Sequence, residues 1–241
     1  MIDRPARVPL RIAAAQPATV ACDVRANALA HAAAVDCAQA RVVIFPELSL
    51  TGYEFDAPGV NPGDAPLSPL VEACRANGAL ALAGAPVSAA DGMGRTIGIL
   101  AIDGDGAHVA YRKMWLGSAE SGCFAPGSQP AVVEVDGWRI GLAVCRDTGI
   151  PEHAALTAAL GIDLYAAGVL ETAEDAHVPD ERARRIAAAH GVWVAIASFA
   201  GSTGEGYDHA AGGSGIWAPD GSILDRIGPE VGAIAVATIG G

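Results

Sequence analysis

The amino-acid sequence predicts an α/β fold with a mixed β-sheet, and two features of the chain lead to this prediction. First, short apolar segments typical of buried strands alternate with longer segments of helical pattern, and helical connections join parallel strands. Second, three pairs of apolar segments flank Asp-Gly turns, which are typical of hairpins between antiparallel strands. A sheet built from both kinds of connection has both kinds of neighbour and is therefore mixed.

In the first half of the chain, two predicted helices lie between short apolar strands. Asp23 is a suitable N-cap, and Leu29, Ala33 and Cys37 lie along one face of the helix that follows it. A Ser-Pro pair opens the second helix and a glycine ends it. The predicted elements are, in order, strand Arg11–Ala15, a helix from Asp23 to about Ala40, strand Val42–Phe45, a helix from Ser68 to Gly78, strand Ala79–Val87, and a hairpin of Thr96–Ile102 with His108–Lys113.

The second half of the chain repeats this alternation. A proline opens the first of its two helices, and glycines end both. The predicted elements are, in order, a hairpin of Val132–Val135 with Trp138–Val144, a helix from Pro151 to Gly161, strand Leu164–Val169, a helix from about Asp180 to His190, strand Val192–Phe199, and a hairpin of Ile216–Trp217 with Ile223–Leu224. No Gly/Pro-rich break divides the chain, so we expect one domain spanning residues 1–241.

The composition indicates a folded protein with a large core. Apolar residues make up 51 % of the 241 residues and charged residues only 17 %, which is the opposite of a disordered composition. The small number of charges also favours a subunit interface. No apolar segment is long enough to predict a membrane span.

The charge and the cysteines exclude several classes of function. The net charge is −12, which opposes binding to a nucleic-acid backbone. No secretion signal is visible at the amino terminus, and the five cysteines form no Cys-x-x-Cys pair. The six histidines are scattered and form no zinc motif. We therefore expect a protein of the reducing cytoplasm, without a metal and without a membrane or nucleic-acid partner.

Cys145 is the first candidate for chemistry. It follows the apolar segment Gly141–Val144, so it lies at the end of a predicted buried strand where the chain turns toward the helix at Pro151. Backbone N–H groups are free at such a turn and suit an anionic transition state. The alternative is an inert core cysteine, which is the commoner role of a cysteine in a strand.

Three charged residues lie in similarly apolar surroundings. Glu47 follows a predicted buried strand between Pro46 and Leu48, so burial should raise its pKa toward that of a working base. Lys113 ends a hairpin strand, and Glu120 lies in a loop with few charges. Taken singly, a surface glutamate or an exposed strand lysine is an adequate interpretation of each.

The order of these segments resembles the nitrilase, or carbon–nitrogen hydrolase, superfamily. The similarity extends from Gln16 to about Ile223. The segments that carry it are, in chain order, Phe45-Pro46-Glu47 with Gly52-Tyr53, Tyr111-Arg112-Lys113, Glu120 with Phe124-x-Pro126-Gly127, Cys145-x-Asp147 with Pro151-Glu152, and Gly212-x-Ser214-x-Ile216 with Ala218-Pro219-Asp220-Gly221. The resemblance implies a four-layer αββα sandwich that assembles into a homodimer or a higher homo-oligomer, and no metal or organic cofactor.

The resemblance also implies a role for each charged candidate. Glu47 would be the general base, Lys113 the cationic stabiliser, Cys145 the nucleophile and Glu120 a second glutamate that fixes Lys113 or the substrate. A free thiol is only a few per cent ionised at neutral pH, so the cysteine needs such an activating base. Asp147 is expected to anchor the turn after Cys145 rather than to act on substrate.

The implied activity is hydrolysis of a carbon–nitrogen bond in a small molecule through a cysteine thioester. Nitrilases usually have Cys-Trp-Glu at the nucleophile, whereas this chain has Cys145-Arg146-Asp147. This difference favours a small amide or N-carbamoyl substrate, with release of ammonia or an amine. Nitrile hydrolysis by the same site, or a non-catalytic scaffold of the same fold, are the alternatives.

Four residues are candidates for substrate binding. Tyr53, Trp115 and Arg146 are close in sequence to the candidate catalytic residues, and Glu171 follows the strand that ends at Val169. An Arg146 side chain that points inward would favour a substrate carrying a carboxylate. The alternative is that the two aromatic residues pack in the core and that Arg146 pairs with an acidic surface group.

Overall fold

The computed structural model of this protein describes residues 7–90 and 92–240. Residues 1–6, Asp91 and Gly241, which belong to the predicted domain, lie outside this range. Two six-stranded sheets form the centre of the described part. The first sheet has the spatial order β14 (Ile234–Ile239), β1 (Leu10–Ala15), β2 (Val42–Ile44), β3 (Leu80–Ser88), β4 (Arg95–Asp103) and β5 (Gly106–Arg112).

The second sheet has the same plan as the first. Its spatial order is β13 (Ile223–Arg226), β12 (Gly215–Trp217), β9 (Trp193–Ser198), β8 (Leu164–Val169), β7 (Trp138–Val144) and β6 (Val132–Val135). Three adjacent strands are parallel in each sheet, namely β1, β2 and β3 in the first and β7, β8 and β9 in the second. The strands outside these triplets pair antiparallel, so both sheets are mixed, as predicted.

Helices cover the outer face of each sheet and complete four layers. The helices are α1 (Val24–Ala38), α2 (Ser68–Asn77), the four-residue α3 (Arg146–Gly149), α4 (Pro151–Ala159) and α5 (Val178–His190). Helices α1 and α2 pack on the first sheet, and α4 and α5 pack on the second. A short ribbon of β10 (Ala200–Gly201) and β11 (Ala210–Ala211) follows β9. The architecture is the αββα sandwich that the resemblance implies.

Side chains point alternately to the two faces of each strand, so the apolar core is divided between the space separating the two sheets and the space under the helices. In β8, Leu164 and Ala166 point between the two sheets, whereas Tyr165 and Ala167 point toward α4 and α5. Successive side chains of a strand point to opposite faces, so a strand covered on both faces is apolar throughout. This explains why the central strands appear in the sequence as continuous apolar segments.

The predicted packing face of the first helix is wrong. Leu29 is 51 % exposed, and Ala33 and Cys37 are exposed as well. The helix instead packs through a face that includes His31 and Val35. Alanines lie on every side of this helix, so the sequence offers little contrast between its faces, and small side chains allow the close approach on the His31 side.

The structure also contains elements that the sequence interpretation lacks. The strand β14 pairs antiparallel with β1 over six residues, and α3 occupies the turn between Cys145 and the helix that begins at Pro151. No helix among residues 7–90 and 92–240 is long and apolar enough to cross a membrane.

Candidate active site

Strand ends from both sheets meet at one edge of the sandwich. Glu47 follows β2 and Lys113 follows β5, and both strands run in the same direction because two antiparallel steps separate β3 from β5. Cys145 follows β7, and Glu171 lies two residues beyond β8, which is parallel to β7. The carboxyl ends of parallel strands share an edge, so residues distant in sequence converge there.

Two glycines hold the turn that carries Glu47. A Cβ atom on Gly84 of β3 would lie 2.4 Å from the backbone nitrogen of Leu48, and one on Gly168 of β8 would lie 2.9 Å from the backbone nitrogen of Glu47. The turn is thus packed between the two sheets, at distances that only glycine allows. Leu48 has a φ of 51°, a left-handed conformation that is unusual for a leucine. The turn is therefore tightly constrained by its neighbours.

Helix α1 fixes the same turn from the opposite side. The His31 ring bonds through Nδ1 to the Asn27 carbonyl oxygen at 2.7 Å and through Nε2 to Ser49 Oγ at 2.8 Å. Burial lowers the pKa of His31 to about 4, so the ring is neutral at physiological pH. The Asn27 amide donates to the Leu50 carbonyl oxygen at 3.0 Å. Glu47 is thereby supported by polar contacts to residues two and three positions after it.

Replacing Gly168 with alanine is expected to lower kcat by about 10–100-fold, because the added methyl group would displace the turn that positions Glu47. The new Cβ would lie 2.5 Å from the carbonyl oxygen of Phe45, a backbone atom that cannot rotate away as a side chain could. Gly63→Ala is the matched control, since a Cβ there meets nothing within 4 Å. Steady-state kinetics of both variants check this prediction, and equal activities would contradict it.

Lys113 lies between two carboxylates. Its Nζ atom is 2.7 Å from Glu47 Oε1 and 2.7 Å from each carboxylate oxygen of Glu120. Glu120 also accepts hydrogen bonds from the Tyr53 hydroxyl at 2.7 Å and from the Gly117 N–H at 2.6 Å. All three charged side chains are almost completely buried. The Lys113 ammonium is therefore held in a fixed position by two buried carboxylates.

Cys145 occupies a strained turn. Its φ of 41° and ψ of −99° lie outside the regions that L-residues usually adopt. The turn is fixed because the Cys145 N–H donates to the Gly168 carbonyl oxygen at 2.9 Å and the Thr148 hydroxyl donates to the Cys145 carbonyl oxygen at 2.6 Å. The Sγ atom lies 3.4 Å from the Leu170 carbonyl oxygen. Strain of this kind is maintained only where the surrounding structure determines it, and it is commonest at functional sites.

The two glutamates differ in the direction of their pKa shifts. Burial raises the pKa of Glu47 to about 7, although the Lys113 charge opposes this. Burial acts in the same direction on Glu120, but the Lys113 charge and its hydrogen bonds bring the pKa of Glu120 below the usual value. Two carboxyl groups whose pKa values are pushed apart suit different roles. Glu120 is suited to remain an ionised partner of Lys113, and Glu47 is suited to exchange a proton near neutral pH.

The thiol and the ammonium complete this electrostatic arrangement. Burial and the Glu47 charge raise the pKa of Cys145, while Lys113 lowers it, and the net effect is a raised pKa. Burial opposes the protonated form of Lys113, but the nearby carboxylates of Glu47 and Glu120 raise its pKa. The resting state therefore has a neutral thiol, a charged lysine and a carboxylate able to take a proton. Such a group of side chains can activate a sulfur nucleophile and stabilise an oxyanion.

One oxygen atom of Glu47 is left available for this proton. Glu47 Oε1 bonds to Lys113, whereas Oε2 is buried without a hydrogen-bond partner among the described residues. The Cys145 thiol is near enough to this carboxylate to lower its pKa. A buried carboxylate oxygen without a partner is costly, and this one is suited to exchange a proton with the thiol.

The four residues predicted to bind substrate lie in different settings. Tyr53 is buried and bonds to Glu120, as described above. Trp115 is half-buried, with its ring against His153 at 5.6 Å between ring centroids. Arg146 begins α3, and its side chain is exposed. Glu171 accepts a hydrogen bond from Arg182 of α5 at 2.8 Å, and its charge raises the pKa of Cys145. Tyr53 and Glu171 are thus next to the cluster formed by Glu47, Lys113 and Glu120.

Sequence reasoning missed Tyr207, which lies in the loop between β10 and β11. Its ring packs edge-on against Tyr53 at 5.3 Å between centroids, and burial together with the charges of Glu171 and Glu47 raises its pKa. No pattern in the sequence marks this tyrosine, because only the tertiary path of the loop brings it to the site.

A second signal was present in the sequence but was not used. Lys113 is the only lysine in the chain.

The described residues contain no group of three or more His, Cys, Asp and Glu side chains arranged to hold a metal ion. The polar side chains of the cluster are instead paired with one another through Lys113.

Comparisons with known proteins identify the family of this chain. The model of the carbon-nitrogen hydrolase family matches residues 11–240. The protein named "Hydrolase in pqqF 5'region" of Pseudomonas protegens is 30 % identical over 217 residues, which are 87 % of this chain and 75 % of that protein.

Two similar solved structures are both of the amidase from Nesterenkonia sp. AN1, which belongs to the nitrilase superfamily. A cysteine-to-alanine mutant in complex with butyramide is 26 % identical, with a TM-score of 0.83, and covers 96 % of this chain and 91 % of that chain. A glutamate-to-glutamine mutant, 25 % identical with a TM-score of 0.83, covers 100 % of this chain and 93 % of that chain. It shows covalent addition of the acetamide moiety of fluoroacetamide at the active-site cysteine. The present chain belongs to the carbon-nitrogen hydrolase family of the nitrilase superfamily.

Proposed function

We propose that this hydrolase cleaves the carbon–nitrogen bond of a small amide or N-carbamoyl compound through a thioester on Cys145. The observation that carries the proposal is the position of Lys113, whose Nζ atom is 2.7 Å from oxygens of both Glu47 and Glu120. A thiol that follows a neighbouring strand end then has a base on one side and a fixed positive charge on the other. The covalent addition at the cysteine of the Nesterenkonia amidase supports the same chemistry.

In the acylation step, the sulfur of Cys145 forms a bond to the carbonyl carbon and its proton passes to Glu47. The electron pair of the C=O bond moves to the oxygen, where the Lys113 ammonium and the Arg146 N–H stabilise the negative charge. Arg146 is the first residue of α3, so its N–H has no acceptor within the helix. The tetrahedral intermediate then collapses, the C–N bond breaks, and Glu47 gives the proton to the departing nitrogen.

In the hydrolysis step, a water molecule replaces the departed ammonia or amine. Glu47 accepts a proton from this water while the oxygen attacks the thioester carbon, and the C–S bond breaks. Glu47 then returns the proton to the sulfur, so thiol and carboxylate regain their starting states. Glu120 stays ionised throughout and keeps Lys113 charged, in agreement with its lowered pKa.

The surroundings of the sulfur favour an uncharged amide group over an anionic one. Glu47, Glu120 and Glu171 contribute negative charge, Lys113 is shared by two of them, and Arg182 is paired with the third. The rings of Tyr53 and Tyr207 pack against each other near these carboxylates. We infer a small neutral acyl group as the part of the substrate that enters the site.

A screen for ammonia release tests the proposal. Butyramide, short aliphatic amides, N-carbamoyl amino acids and nitriles are incubated with the protein, and Cys145→Ala is the blank. We expect release from amides or carbamoyl compounds, and a loss of about four orders of magnitude in the variant. Release that is unchanged in Cys145→Ala, or no release from any of these compounds, would contradict the proposal.

A further inference from the structure

One buried carboxylate contacts the chain on both sides of Lys113. Asp147 Oδ2 accepts a hydrogen bond from the Tyr111 hydroxyl at 2.7 Å, and Oδ1 accepts one from the Trp115 N–H at 2.9 Å. Tyr111 lies two residues before Lys113 and Trp115 lies two residues after it. Asp147 is completely buried and also accepts from the Val144 N–H at 3.0 Å.

These bonds connect the two sheets at the site. Tyr111 belongs to β5 in the first sheet, and Asp147 follows β7 of the second sheet, two residues after Cys145. The five-residue segment centred on the lysine is thus attached at both ends to the turn that carries the sulfur. The Asp147 contacts therefore join the segment that carries the ammonium to the turn that carries the thiol.

A chain of hydrogen bonds extends from the Asp147 carboxylate through Tyr111 and His153 to Tyr165. The Tyr111 hydroxyl gives its only proton to Asp147, so its oxygen accepts from His153 Nε2, which is 2.9 Å away. His153 Nδ1 then has no proton and accepts from the Tyr165 hydroxyl at 2.8 Å. Burial lowers the pKa of His153, although the Asp147 charge opposes this, and a neutral ring is what this arrangement requires. One tautomer therefore satisfies every group in this chain of hydrogen bonds.

We propose that Asp147 and Tyr111 form a positioning pair that sets the place of the Lys113 ammonium relative to the Cys145 sulfur. Neither residue touches substrate in this account, which rests on the function proposed above. The competing interpretation is that Tyr111 is one hydrogen-bonded core residue among others. That interpretation predicts a loss of stability without a specific change at Lys113 or Cys145.

A pair of matched variants distinguishes the two interpretations. Tyr111→Phe and Tyr165→Phe each remove one buried hydroxyl that is bonded to His153, but only Tyr111 contacts Asp147. Because Lys113 is the only lysine, protein labelled with [¹³C,¹⁵N]lysine gives a single side-chain ammonium signal that needs no assignment. The second measurement is the rate of alkylation of Cys145 by iodoacetamide, with modification located by mass spectrometry.

We expect Tyr111→Phe to shift the lysine signal and to slow alkylation of Cys145 at least about fivefold, with kcat lowered about 10–100-fold. We expect Tyr165→Phe to leave the signal in place and both rates within about twofold of the wild type. Unchanged signals and rates in Tyr111→Phe, or equal losses in both variants, would overturn the proposal. If the wild type releases no ammonia, the proposed function fails, but the signal and the alkylation rates still decide whether the pair positions Lys113.

Discussion

Replacing Glu47 with glutamine is expected to lower kcat by about 10²–10⁴-fold, because the amide cannot take the proton of the Cys145 thiol. The amide keeps the shape of the carboxyl group and its oxygen still accepts from Lys113, so the fold should be preserved. Glu72→Gln is the matched control, since Glu72 is an exposed residue of α2. Steady-state kinetics on an amide that the wild type hydrolyses measure the effect.

The same residue determines the expected pH dependence. Burial raises the pKa of Glu47 to about 7, and the reaction needs the carboxylate form. In the acidic part of the pH profile, the kcat/KM of the wild type should therefore fall tenfold per pH unit below the Glu47 pKa. Above this pKa, the acid limb should level off. An acid limb near pH 4.5 would show that burial does not act on Glu47 as described. A Glu47→Gln variant that keeps wild-type activity would contradict the assignment of the base.

Replacing Lys113 with methionine is expected to abolish activity and to lower the free energy of unfolding by about 3–5 kcal/mol at neutral pH. The substitution leaves the buried carboxylates of Glu47 and Glu120 without their shared counterion. Arg139→Met is the control, since its ion pair with Glu134 lies at the surface and should contribute at most about 1 kcal/mol. Chemical denaturation of both variants measures the difference.

The loss of stability in Lys113→Met should depend on pH with a definite sign. Without the ammonium, burial raises the pKa values of both carboxyl groups above their values in the unfolded chain. A group with a raised pKa in the folded state loses its stabilising contribution as the pH rises through that pKa. The variant should therefore be closer to the wild type at pH 5 than at pH 8. A deficit that is larger at pH 5 would contradict the assignment of Lys113 as the counterion of both glutamates.

Most of the fold follows from local patterns in the sequence. The hairpin Val132–Val135 with Trp138–Val144 has the bounds that the Asp-Gly turn predicts, and the strand Leu164–Val169 is also confirmed. These segments are apolar and are bounded by turn residues, so local information is sufficient. The last strand, β14, depends on pairing with β1 at the other end of the chain, and no local pattern expresses a contact between residues so far apart.

The candidate site shows the same division between local and tertiary information. Short motifs predict Glu47, Lys113 and Cys145 as site residues, and the structure places Lys113 against Glu47 and Glu120. The glycines that hold the turn of Glu47 could not be identified from the sequence, since Gly168 matters only because the first sheet lies against it. The apolar neighbours of Glu47 predict its raised pKa, and burial is the largest cause of that shift.

The most direct test is to mix wild-type protein with an amide that it hydrolyses, to stop the reaction with acid within the first turnovers, and to measure the mass of the intact chain by mass spectrometry. We predict a mass increase equal to the acyl group, located on residue 145 by fragmentation and removed by hydroxylamine. The Cys145→Ser and Cys145→Ala variants should show no such thioester. An acyl adduct on any other residue, or turnover in which the chain carries no adduct under conditions that slow the hydrolysis step, would contradict the central claim.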